Sequence, residues 1–104
     1  MNRIEKLKEY MKTAETDSFL QHALALEYIK KSEDETAKAL FEKLLSLNED
    51  YVGSYYHLAK LQERLGEREA ALATYEKGLA KSKALGDNHA YNELLAAYED
   101  LMDY

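Results

Sequence analysis

Apolar side chains return every three to four positions along nearly the whole chain, and nowhere do they alternate strictly over a run long enough to make a strand. Tyr55, Leu58, Ala59 and Leu65 share one face of a helix, and beyond Gly66 so do Ala71, Tyr75 and Leu79. This spacing predicts six helices, at about 2 to 14, 18 to 31, 33 to 47, 51 to 65, 67 to 85 and 87 to 103. The punctuation fits. Asn2 with Glu5, and Ser32 with Glu35, have the three-residue spacing of a capping box, in which a side-chain oxygen and a carboxylate each satisfy an orphan backbone N–H. Asp17, Asp50 and Asp87 stand where other helices should begin, and Gly66 can take the left-handed conformation that ends one.

The pattern also repeats. Sliding the chain by 34 residues sets Ser18 to Tyr51 against Val52 to Leu85 and gives nine ungapped identities, among them Leu24/Leu58, Ala25/Ala59, Ala37/Ala71, Lys43/Lys77 and Leu45/Leu79. Composition alone would give about three. A second step of the same length places Leu7, Tyr10 and Met11 opposite Phe41, Leu44 and Leu45, so the N-terminal segment matches the second half of a unit. The last helix joins the register after a two-residue insertion, with Tyr91, Leu94, Leu95, Tyr98 and Leu101 opposite Tyr55, Leu58, Ala59, Gln62 and Leu65. The expected organisation is one domain over residues 1–104: a half-repeat at 1–17, repeats at 18–51 and 52–85, and a capping helix at 86–104.

Composition narrows the function. Twenty Asp+Glu against fourteen Lys+Arg give a formal charge of −6, which repels nucleic-acid phosphates and anionic lipid, so neither nucleic acid nor a membrane is an expected partner. The chain has no cysteine, which removes disulfides and thiolate chemistry, and no run near the length of a membrane span. A cytoplasmic location is the expectation. The three histidines, His22, His57 and His89, form no metal-ligand spacing, and no phosphate loop or nucleophile elbow stands out. The chain is therefore read as neither an enzyme nor the holder of a cofactor or metal. The nine tyrosines are expected mostly on core faces, Tyr56 being the exception beside core Tyr55.

The helix-turn-helix unit of 34 residues in "YHLAKLQERLGEREAALATYEKGL" and "HALALEYIKKSEDETAKALFEKLL" resembles the tetratricopeptide repeat. Leu-Ala in the first helix, Ala in the second and an aromatic four residues later carry the likeness. It implies an all-α fold of antiparallel helix pairs stacked as a short right-handed α-solenoid. Ala25, Ala37, Ala59 and Ala71 would sit where helices approach closely, and Tyr28, Phe41 and Tyr75 would fill the space between layers.

The resemblance further implies a protein-interaction module whose concave groove takes a peptide or helix of a partner protein. Carried over by position, the groove residues are His22, Leu26, Ile29 and Lys30, with Phe19, from the first repeat. The second gives Tyr56, Lys60, Glu63 and Arg64, with Gly53, and the last helix gives Asn92, with His89, Ala96, Glu99 and Asp100 nearby. Tyr56, Lys60 and Arg64 are spaced by four, and with Lys30 expected beside Arg64 they would offer cations to an acidic-apolar segment. The contrary reading is a solvated helix face neutralised by Glu63 and its neighbours. A homodimer using the same groove or the terminal helices is the alternative function. The positions of a chaperone-tail clamp hold His22, Leu26, His57, His89 and Glu93, which does not support one.

Overall fold

The computed structural model describes residues 2–103. They form six helices and no strand: α1 (Arg3–Met11), α2 (Ser18–Lys30), α3 (Asp34–Leu47), α4 (Gly53–Arg64), α5 (Arg68–Leu85) and α6 (Asn88–Met102). Each lies within its expected span, trimmed most at the end of α1. The helices gather into two compact units, α1 to α3 up to Asn48 and α4 to α6 from Glu49. Within the first, α1 packs on α2 and α2 on α3; within the second, α4 packs on α5 and α5 on α6.

The repeat extends to contacts that the aligned letters hide. Tyr55 donates its hydroxyl to the Glu49 carbonyl at 2.7 Å. Its counterpart 34 residues earlier is Gln21, whose Nε2 donates to the Glu15 carbonyl, Glu49's own counterpart, at 2.8 Å. An amide and a phenol thus tie down the chain entering the first helix in the same way, and both are buried, at 2% exposure each.

The turns repeat as well, and they overturn one expectation. Gly66 and Gly86 have φ of 78° and 71°, and Ser32, at φ 60°, is a residue with a side chain in the same left-handed conformation. Each follows a helix end with the same pair of bonds. Ser32 N–H donates to Ile29 O and Glu33 N–H to Tyr28 O, both at 2.9 Å; Gly66 to Glu63 O at 3.0 Å and Glu67 to Gln62 O at 2.8 Å; Gly86 to Lys83 O at 3.1 Å and Asp87 to Ser82 O at 2.9 Å. Ser32 therefore closes α2 instead of opening α3, and the capping box with Glu35 does not form. The N-cap of α3 is Glu33, without a side-chain cap hydrogen bond.

The other caps divide. Asn2 Oδ1 accepts from Glu5 N–H at 2.8 Å, Asp17 Oδ1 from Leu20 N–H at 3.1 Å and Asp87 Oδ1 from Ala90 N–H at 3.0 Å, as expected. Asp50 does not cap. Val52 N–H turns back to the Asp50 carbonyl at 2.8 Å, so that α4 starts late, with Val52 at its N-cap. The freed Asp50 carboxylate lies 3.8 Å from Lys81 Nζ.

Ala25, Ala37, Ala59 and Ala71 are completely buried, as are Phe41 and Tyr75. In the first unit Ile4, Leu7 and Leu24 form a cluster flanked by Met11, Leu20, Ala23, Tyr28 and Leu40. Tyr28 is only half-buried, and Lys8 Nζ lies 5.8 Å from its ring centre. In the second unit Gly78 allows the closest approach: a Cβ there would meet Tyr55 Cβ at 2.7 Å and Leu94 Cδ1 at 2.9 Å. The tyrosines are less internal than expected. Tyr55 and Tyr75 are buried, Tyr28, Tyr51, Tyr56, Tyr91 and Tyr98 are half-buried, Tyr10 is exposed, and Tyr104 lies outside the described residues. A phenol keeps its hydroxyl near water or a partner, so a tyrosine on an apolar face is seldom wholly covered.

Candidate functional site

In the first unit, helical spacing puts Phe19, His22, Leu26 and Lys30 along one side of α2. With Arg3, Ala23 and Glu27 they line an open cleft. Phe19 is 66% exposed, a large apolar surface for water to meet. The His22 ring lies edge-on to Phe41, with ring centres 5.4 Å apart. Ile29 is half-buried and does not line the cleft.

Charge in this cleft is held by the chain's own groups. Glu27 keeps only 10% side-chain exposure, and its two oxygens meet Arg3 Nε at 2.9 Å and Lys30 Nζ at 3.2 Å. Arg3 and Glu27 are absent from the sequence-based site, although a signal existed. Glu27 stands where the second repeat has Leu61, and Arg3 stands, two steps along the repeat, where the units have Ala37 and Ala71. Two polar residues at apolar repeat positions, on helices that pack together, could have been paired on that ground.

In the second unit Tyr56, Lys60 and Arg64 form the expected stripe along α4. Lys60 Nζ lies 5.9 Å from the Tyr56 ring centre and 3.8 Å from Glu63 Oε2. Glu63 also accepts the hydroxyl of buried Tyr75. Burial and then this bond to a carboxylate push the Tyr75 hydroxyl's pKa far up, which keeps it a donor. Lys60 and Glu63 share a second cleft with Asp100, Leu101 and Asp103. Arg64, at the end of α4, and Asn92, on α6, are exposed and outside that lining. Sequence reasoning omitted Asp103, beyond the last apolar position of α6.

His57 faces inward beside this stripe, its ring edge-on to Tyr56 at 5.5 Å. Burial holds its pKa below the usual histidine value; Glu93 opposes the shift and Arg64 adds to it. Among the described residues no group of three or more His, Asp or Glu is placed to hold a metal ion, and no helix is long and apolar enough to cross a membrane.

Paired helices, matching left-handed turns 34 residues apart at Ser32 and Gly66, and open first-helix faces define an all-α helical-repeat protein. The crystal structure of the tetratricopeptide repeat domain protein of Salinibacter ruber is similar at 39% identity and a TM-score of 0.81, over 84% of this chain and 97% of that one. The NMR structure of a tetratricopeptide repeat domain protein from the same organism is similar at 40% identity and a TM-score of 0.78, over 82% of this chain and 86% of that one. The chain belongs to the tetratricopeptide repeat family. The TPR2B domain of yeast Sti1, solved as its pHsp70 complex, shares the fold at 20% identity and a TM-score of 0.88, over 96% of this chain and 80% of that one. No family model and no curated protein matches the chain.

Proposed function

We propose that the chain is a protein-interaction module that takes an extended or helical segment of a partner protein on the open faces of its first helices. The observation that carries this reading is the cleft of Phe19, His22, Leu26 and Lys30, where helical spacing turns apolar surface outward beside a fixed charge network. The yeast Sti1 domain, seen in a complex, supports the class of function by likeness of fold. Tyr56, Lys60, Glu63 and Arg64 are the candidate contacts of the second unit, and Ile29 and Asn92 lie at the margins.

The partner's chemistry follows from the pairing. Lys30 and Lys60 already have carboxylates beside them, so an acidic segment would have to displace those partners. Apolar contact is the larger offer: an anchor for Phe19 and Leu26, and a flat side chain for Tyr56. The test is selection from a displayed peptide library, followed by calorimetry of the best peptide with Phe19→Ala, Leu26→Ala and Tyr56→Ala. Each should weaken binding by about tenfold, the loss of a contact near 1.4 kcal/mol. Glu42→Ala, on the exposed side of α3, should bind as the parent does. Equal losses at all four positions, or none at the first three, would refute the proposed surface.

A further inference from the structure

The cleft of the first unit has a cationic rim with an acid set deeper behind it. The side chains of Arg3 and Lys30 are 64% and 73% exposed, against 10% for Glu27. An arriving segment therefore meets the two cations first, and both are already held from the protein side by the two Glu27 oxygens, at 2.9 Å and 3.2 Å. The same three side chains border a second, smaller cleft with Asn2, Ile4 and Lys31.

The fold does not require this acid. Glu27 stands where the second unit has fully buried Leu61, and Arg3 stands where the units have fully buried Ala37 and Ala71. Burying a carboxylate costs its hydration, and a buried ion pair seldom adds stability over an apolar side chain of similar size, so leucine would serve the packing as well. Lys30 is different, since its counterpart Arg64 is also a cation. The first unit thus keeps the cation of the repeat and adds a buried acid beneath it.

We infer that Glu27 is a specificity-determining residue: by occupying Arg3 and Lys30 from inside, it closes the cleft to acidic segments and leaves it to a partner that is uncharged beside its apolar anchor. This rests on the peptide-binding reading of the same cleft. A partner's carboxylate would give up its hydration to cations that already have an acceptor, and gains little. A partner's lysine or arginine is repelled, because two cations against one acid leave the rim positive. Apolar contact with Phe19, Ala23 and Leu26 then decides binding.

The test sets Glu27→Leu, which copies the second unit, beside the parent. Displayed peptides are selected on each protein, and the best from each is titrated at low and high salt in two versions, with glutamine or glutamate beside the apolar anchor. On the parent the enriched peptides should be apolar and uncharged there, and glutamate should bring no gain. On Glu27→Leu the glutamate version should bind about tenfold tighter than the glutamine version. That gain should shrink at high salt and disappear in Glu27→Leu with Arg3→Ala. Glu27→Gln replaces Glu27→Leu should the latter lose its helical circular dichroism. The same peptides from both selections, or a parent that already prefers glutamate, would overturn the inference with peptide binding intact. No enrichment on either protein would overturn the binding surface, and this inference with it.

Discussion

The two units perform the same structural tasks with different residues at equivalent positions. Where the second has Gly78 under Tyr55, the first has buried Leu44; where the second turns at Gly66, the first turns at Ser32; where the second ties its entry loop with a phenol, the first uses an amide. The repeat is thus a repeat of contacts, and side chains of different size satisfy it as long as their neighbours change in step. Tyr55 is large and faces Gly78, which has no side chain.

Exchanging those residues should break the correspondence most severely. Leu44→Ala removes a fully buried side chain and is expected to cost about 2–5 kcal/mol. Gly78→Leu forces atoms into a space where even a Cβ would sit 2.7 Å from Tyr55 Cβ, at a cost of about 1–3 kcal/mol or more. Urea denaturation of each variant measures both.

The turns should show a smaller difference, of opposite sign in the two units. Ser32→Gly relieves a left-handed residue and should add about 0.5–1 kcal/mol, while Gly66→Ser should remove about 1 kcal/mol. Space is not the issue at Gly66, where a Cβ meets nothing within 4 Å, so the loss measures backbone conformation alone. Thermal melts that move both variants in the same direction would show that the two turns are not equivalent.

Tyr55→Phe deletes the bond to the Glu49 carbonyl and should cost about 0.5–1.5 kcal/mol. Gln21 makes the matching bond, yet its buried Oε1 has no partner, so deleting this side chain's polar end should cost less than deleting the tyrosine hydroxyl. Denaturation midpoints of Gln21→Met and Tyr55→Phe compare the two.

The smallest effect is in pH. His57 has its folded pKa lowered by burial, so the unfolded chain binds the proton more readily. Its contribution is fully present above the ordinary histidine pKa near 6.5 and is lost as pH falls through the folded value. Melting temperature should therefore drop on acidification below about 6.5, and less steeply in His57→Gln, while the counterpart position in the first unit, Ala23, has no group to titrate.

Much of this was legible in the sequence, because helix periodicity and a register of 34 residues depend on where apolar side chains recur. Ala59 and Tyr75 could be placed from helical spacing, and Ala25 and Phe41 from the register and the family likeness. Ser32 could not: serine favours helix starts, and only the surrounding turn, with Glu33 N–H reaching Tyr28 O, forces it left-handed. Asp50 was misread for a related reason, since the Val52 turn shifts the helix start beyond its reach. At the candidate site, the family likeness supplied the α2 residues and spacing the α4 stripe, but the pairing of Glu27 with Arg3 depends on how α1 lies on α2, whereas Lys30 is its neighbour one turn along α2.

The most direct test of the account is a backbone-amide NMR titration of the intact chain with a peptide selected for binding. The account predicts shifts at Phe19, His22 and Leu26 of α2 and Tyr56 and Lys60 of α4. A footprint confined to α3 and α5, with those residues unmoved, would contradict it.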